Sequence, residues 1–330
     1  MSIAFYLNSI SPHQMPLAEG VRRRMGGGDF VYIYQESPNP DRSALGWNFD
    51  DLPGWCARSG EDDVRLIGSD LVYTGVRCLS LMARRKSAGK KTFYYSERWF
   101  KPIALGLGGS SRLRIVLPGV LRMLSPSYRK MARRFVEWAN SDKNAKVLAV
   151  GPWARKDFLR LGVDETKIVD WGYFVAPGRH EGSKRLIPRL RNEPLRVLWV
   201  GRVGVWWKRV EDIKKAIARV QVPVELTVLS GVPIAEIRKA MREHDLYVLA
   251  SDENEGWGAA LSEALEEGMS ALGTFEAGAS AAMLPKERLY HAGDVKGLAS
   301  LIEKEYNGEL PPCTIGTWTA ASAAERLLAL

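Results

Sequence analysis

Cysteine is scarce: three in 330 residues, Cys56, Cys78 and Cys313, scattered and odd in number. That argues against a disulfide framework or a zinc knuckle and fits a reducing cytoplasm. Long apolar runs are missing as well. None approaches the ~18 residues that a membrane span needs, and MSIAFYLNSISPHQ lacks the basic start and apolar stretch of a secretory signal. There is no internal repeat and no low-complexity tract. The paired acids Asp50-Asp51 and Asp62-Asp63 read as solvated loop residues, so no metal site is expected. Acidic residues are also absent from Arg98 to Val136, a segment holding nine Lys or Arg. The rest of the chain is balanced, so the whole net charge of +9 is a local feature.

What remains is ordinary globular material, 46% hydrophobic and 26% charged. A chain of this length exceeds what one core usually supports, so two domains are expected. Short strand-like runs alternate with helical patterns. IAFYLN, DFVYIYQ, DLVYTG, KTFYYSE, AKVLAVG and KIVDWG read as strands of a first set. MPLAEGVRRRMG, PSYRKMARRFVEWANS and ARKDFLRLG read as helices between them. Alternation of this kind points to parallel βαβ units and a doubly wound sheet.

The pattern lapses in VAPGRHEGSKRLIPRLRNEP, which places a linker at 176–194 after an N-terminal domain over 1–175. A second set follows over 195–315, with strands LRVLWVG, VELTVLSG, DLYVLAS and MSALGTF and helices over RVEDIKKAIARV and AEIRKAMREH. The segment 316–330 is a last helix with Ala and Leu on one face, expected to pack back on the N-terminal domain.

In open α/β sheets, ligands sit beyond the carboxyl ends of strands. Three turns of the second set fit. In VGRVGVWWKR, Arg202 lies just past the strand and Gly201, with Lys208 six residues on. Two cations at one strand end can neutralise a diphosphate, or they are solvated surface charges. In SDENEGWGAALSEALEEG, Glu255 and Glu263 have seven residues between them. Gly256 and Gly258 allow close backbone approach around Trp257. Glu255 could merely cap a helix. Glu263 lies amid Ala259, Ala260, Leu261, Ala264 and Leu265, poor company for a solvated face. At about 100° per residue the two carboxylates diverge by roughly 80°, suited to two ends of one ligand. The third turn, TFEAGASAAML, carries Phe275, Ala277 and Gly278, and by itself is no more than a generic turn.

Together these motifs, over about residues 195–285, resemble the donor half of family-4 retaining glycosyltransferases of the GT-B fold. The resemblance implies two Rossmann-like domains facing a cleft. It also implies that Arg202 and Lys208 bind the diphosphate of a nucleotide-sugar, that Glu255 contacts the donor sugar and that Glu263 accepts from ribose hydroxyls. Phe275 to Gly278 would approach sugar and phosphates through backbone N–H groups. Such enzymes are typically metal-independent, so no cofactor is implied. The sequence departs from the family in two places. KTFYYSERWFKP lacks the histidine often found at the end of an N-domain strand. His13, in the SISPHQ turn, either takes its place or is a polar turn residue. The chain between VELTVLSG and AEIRKAM is also shorter by about one strand-helix unit.

The implied activity is transfer of a hexosyl unit to a hydroxyl acceptor, a lipid-linked sugar among the candidates, with retention, in polysaccharide or glycolipid synthesis. The mixed apolar and basic run 98–136 would touch an anionic membrane at its inner face, or is a solvated helical face. Two other readings stand beside it: a nucleic-acid-binding protein, motivated by a pI of 9.4, and a sugar-nucleotide epimerase on the same fold. The charge confined to one segment counts against the first, and the Arg-Lys plus spaced-glutamate signature against the second.

Overall fold

The computed structural model describes residues 1–26, 28–36, 45–46, 52–106, 114–178 and 193–330. Most of the expected linker, 179–192, and the pair Asp50-Asp51 lie outside the described residues. The chain forms two compact units, which do not simply follow one another in sequence. One comprises Met1–Ser9, Gly27–Glu36 and Pro53–Trp171; the other comprises Ile10–Gly26, Ser37–Leu52 and Gly172–Leu330.

The first unit is built on a seven-stranded parallel sheet. Its strands are β1 (Ile3–Ser9), β2 (Phe30–Glu36), β3 (Cys56–Arg58), β4 (Leu71–Thr74), β5 (Lys91–Ser96), β8 (Ala145–Val150) and β9 (Ile168–Trp171), in the order β3-β2-β1-β4-β5-β8-β9. A separate antiparallel pair, β6 (Ile103–Gly106) and β7 (Arg114–Leu117), interrupts the run. In the seven-stranded sheet β4 is buried along its length and β1 over its first five residues, as parallel strands must be when helices cover both faces.

The helix Pro126–Ser141 shows how sequence sets that cover. Ser125 caps it, Pro126 starts it, and Ala132, Phe135, Trp138 and Ala139 recur at helical spacing on the buried face. Each large apolar side chain so buried stabilises by about 1.5–3 kcal/mol. Arg129, Lys130, Arg133 and Arg134 are left on the opposite, exposed face.

Asp62 is exposed as expected, but Asp63 is not a free loop acid. Its carboxylate caps the helix Val64–Gly68 through the Arg65 N–H at 2.9 Å and takes the Arg65 guanidinium at 2.6 Å. Those bonds hold its pKa down at about 2. A fully buried guanidinium, Arg85, donates to the carbonyls of Leu66, Ser69 (3.1 Å) and Lys91 (2.6 Å) and to Thr92 Oγ1 (3.0 Å). Burial lowers its pKa to about 10.

The second unit carries a five-stranded parallel sheet ordered β11-β10-β12-β13-β14. The strands are β10 (Leu195–Val200), β11 (Val224–Leu229), β12 (Leu246–Leu249), β13 (Ser270–Thr274) and β14 (Leu289–Tyr290). On one face Val197, Trp199, Leu246, Val248 and Leu272 pack with Ile213 of the helix Val210–Ile217 and Ile302 of the helix Val295–Tyr306. The C-terminal helix Ala320–Ala329 lies against the early helix Met15–Arg24, with Gly20 admitting Ala324 and the Ala320 carbonyl. Both belong to this unit, so the last helix does meet chain from the N-terminal stretch, though that stretch is grouped with the later sheet.

Candidate functional site

The three turns singled out in the sequence all leave the carboxyl ends of the second sheet. Because β10, β12 and β13 are adjacent, their turns are adjacent too. After β10 the Gly201 N–H pairs with the Leu229 carbonyl (3.1 Å), and Arg202 points into solvent. Its side chain makes no ion pair or hydrogen bond among the described residues. A single 3-10 turn, Trp206–Lys208, then carries Lys208 back toward the sheet. Arg209 follows at φ 51°, the one non-glycine with positive φ among the described residues. Such a backbone costs about 1–2 kcal/mol in an L-residue. Here its guanidinium is tied to Asp212 (2.7 Å), and the helix Val210–Ile217 begins immediately.

The turn after β12 is bound to the first one: the Asp252 N–H donates to the Trp207 carbonyl (3.0 Å). Asp252 is buried, which raises its pKa, and its Oδ1 accepts from the Asn254 N–H (2.9 Å) and side-chain amide (2.8 Å). This local loop ends on the Glu255 N–H, which donates to the Asp252 carbonyl (3.0 Å). The Glu255 carboxylate is therefore presented by a rigid turn. Its Oε2 accepts from Ser251 Oγ at 2.9 Å and from the Lys208 ammonium. That ion pair joins residues 47 apart in sequence and is the central contact of the site.

Glu255 does not lie on the helix, which begins at Ala259. The expected angular offset from Glu263 therefore has no meaning as a helical wheel. Gly258, at φ 97°, makes the bend into that helix, and a Cβ there would also press on Leu249 at 2.8 Å. Gly256 is buried beside it, and Gly278 packs so tightly beneath that a Cβ would lie 2.3 Å from the Gly256 carbonyl oxygen. Trp257 is buried, its indole N–H spent on Ser262 Oγ (3.1 Å) and its ring set against Trp318 at 5.3 Å. It acts as packing beneath the turn.

Glu263 is buried, as its apolar neighbours imply, and its Oε1 lies 3.6 Å from His13 Nε2. The His13 ring stacks on Tyr173, with centroids 6.3 Å apart. His13 thus joins Glu263, the second carboxylate. Tyr247 of β12 is wholly buried, and its hydroxyl finds no hydrogen-bond partner among the described residues. Its pKa is pushed well above the ordinary tyrosine value by burial and then by the charges of Glu255 and Glu263.

The third turn is mostly committed internally. The Phe275 N–H bonds the Tyr290 carbonyl (2.9 Å), and that of Ala277 bonds Thr274 Oγ1 (3.3 Å). Glu276 accepts from His291 Nδ1 (2.9 Å) and from the Ala292 N–H (3.0 Å). Among the described residues no group of three His, Cys, Asp or Glu comes together to hold a metal ion.

Sequence reasoning passed over Ser251, Thr274, Tyr247 and Arg209. Ser251 stood in the motif itself. The others carried no signal, since each owes its place to strand order or backbone strain.

No family model matches the chain, and no curated protein matches it. Solved structures do. The lipopolysaccharide outer core galactosyltransferase WaaB, in its apo form, superposes with a TM-score of 0.64 over 99% of this chain and 98% of its own, at 15% identity. Anabaena HepE in complex with UDP and glucose gives 0.56 over 100% and 95%, at 13% identity. Sucrose-phosphate synthase from Thermosynechococcus elongatus gives 0.52 over 100% and 95%, at 12% identity. The fold is that of the GT-B glycosyltransferases. At such identities the likeness extends to architecture, and the chemistry rests on the site itself.

Proposed function

We propose that this chain transfers a sugar from a nucleoside-diphosphate sugar to a hydroxyl acceptor, with retention of configuration. The observation that carries the reading is the Lys208–Glu255 pair at the ends of β10 and β12, beside a second, buried carboxylate at Glu263. In this reading Lys208, with the solvent-facing Arg202, stabilises the departing diphosphate. Glu255 orients the sugar hydroxyls, and Glu263, steadied by His13, takes the ribose hydroxyls. Gly201, Gly256, Gly258 and Gly278 let the backbone come close to the ligand, with Phe275 and Ala277 shaping the third turn. The cations do the work of a divalent ion, so no metal is required. HepE, of the same fold, is solved with UDP and glucose, which favours a nucleotide-sugar over a nucleic acid as the ligand here.

Thermal melting against UDP-, GDP- and ADP-sugars tests the reading. One of them is expected to raise the melting temperature, since saturation to 100 times Kd stabilises by about 2.7 kcal/mol. No shift with any of them, together with salt-dependent retention of DNA or RNA, overturns it in favour of the nucleic-acid reading.

The acceptor we propose is lipid-borne, met at an anionic membrane face in polysaccharide or glycolipid synthesis. Leu121 (39% exposed) and Leu124 (75%) stand in solvent on the turn Gly119–Leu124, next to exposed Arg122, Arg129, Lys130, Arg133 and Arg134. Arg112 lies outside the described residues. No helix among the described residues is long and apolar enough to cross a membrane, so the contact would be peripheral. Each cation at an anionic surface contributes about 1 kcal/mol. Sedimentation with anionic vesicles, lost when Leu124 and Arg129 are replaced by Ser and Glu, is the expected result; equal partition onto neutral and anionic vesicles removes the proposal.

A further inference from the structure

Resting on the proposed sugar transfer, we infer that Oε1 of Glu255 is the oxygen that faces the donor, and that Ser251 is the positioning residue that keeps it so. Both bonds to this carboxylate, from Ser251 Oγ at 2.9 Å and from Lys208, fall on Oε2. Oε1 accepts nothing among the described residues. A carboxylate has acceptor sites on both oxygens, so loading one of them twice fixes the rotation of the group and presents the other.

The anchor behind Ser251 is a string of buried hydroxyls. Ser280 Oγ, on the helix Gly278–Met283, donates to the Thr274 carbonyl at 2.5 Å. Thr274 Oγ1, at the end of β13, donates to the Ser251 carbonyl at 2.5 Å. Ser251 has one hydroxyl proton, and it goes to Glu255. Ser251, Thr274 and Ser280 are all 1% exposed or less, so no water competes for these bonds. The string ties the turn after β12, the end of β13 and the helix Gly278–Met283 to one oxygen.

Lys208 differs from Ser251 in what it can do when donor arrives. Its ammonium ends a flexible, 24% exposed side chain and can turn its protons toward a diphosphate. Ser251 cannot leave. When the lysine is shared with phosphate oxygens, the serine is what still holds Oε2, so its effect belongs to the loaded enzyme and to kcat.

The test compares Ser251→Ala and Ser251→Thr with the unaltered chain, using the nucleotide-sugar that the melting screen selects. Ser251→Ala is expected to lower kcat about tenfold to a hundredfold, the range for a lost hydrogen bond to a charged group, with donor KM within about threefold. Ser251→Thr, which keeps the hydroxyl, should restore kcat. A kcat within twofold in Ser251→Ala, a loss carried by KM instead of kcat, or no recovery in Ser251→Thr overturns the assignment.

A crystal structure of Ser251→Ala adds a readout that needs no turnover. A rotated or split Glu255 carboxylate supports the anchoring, and an unmoved one refutes it. Absence of donor turnover in the unaltered chain would count against the transferase reading alone, leaving that crystal structure to decide the anchoring.

Discussion

Lys208→Ala is expected to lower turnover of the nucleotide-sugar by roughly 10²–10³-fold while the chain remains folded. The magnitude is that of removing one preorganised electrostatic group from a site where charge develops on a leaving group. In kinetic terms it is about 3–4 kcal/mol of transition-state stabilisation. The fold should survive because the lysine is only one of two supports of Glu255; Ser251 Oγ still donates to the same oxygen. Nor does the backbone depend on the side chain, since the turn is pinned by the Asp252 N–H on the Trp207 carbonyl. Lys208→Arg should recover only part of the loss, because a planar fork does not replace a compact point charge on a flexible stem. Single-turnover rates with the preferred donor, read beside thermal melts, separate the outcomes. Undiminished turnover in Lys208→Ala would remove Lys208 from the chemistry.

Trp257→Ala should cost about 3–5 kcal/mol of stability, the range for deleting a large buried aromatic. Trp257 is 1% exposed and touches the site from below rather than lining it. Its ring is closed in by Trp318 and by Gly172, whose missing side chain leaves no slack: a Cβ there would sit 2.6 Å from the indole. Truncation therefore opens a cavity that the surroundings cannot fill without moving backbone, and it strips Ser262 Oγ of its indole donor. Its own carbonyl also receives the Ala279 N–H at 2.8 Å, so slackening here is passed to the third turn. At about 2–4 °C per kcal/mol for a unit of this size, the melting temperature should fall by on the order of 10 °C. Trp257→Phe, which keeps a six-membered ring and gives up the pyrrole half of the indole with its N–H, should fall by less. Urea melts at constant m-value give the measurement. A loss below about 1 kcal/mol would mean that the ring is not packed as described.

Much of this protein follows from its sequence taken by itself. Strand-length apolar runs bounded by Gly, Ser or Asp gave ten strands of the two parallel sheets, because burial on both faces leaves a continuous apolar signature. The strands passed over were β3, β6, β7 and β14, of two to four residues. Helices with caps and a 3.6-residue apolar period were legible nearly to their ends, as at Pro126–Ser141. In the site, Lys208 and Glu255 were visible because the turns after parallel strands are where ligands gather, and Glu263 because a lone carboxylate among alanines and leucines needs a reason.

Tertiary structure alone decided who meets whom. Strand order set β12 beside β10 and β13, which put Lys208 within reach of Glu255 and set Thr274 and Ser280 behind Ser251. The same packing brought His13 from the first turn of the chain to Glu263 rather than to Glu255, and grouped the helix Met15–Arg24 with the later sheet. The reason is physical: backbone preference and apolar period are local and can be counted along a chain. A hydrogen bond between side chains far apart in sequence depends on strand register and crossover, which no local window contains.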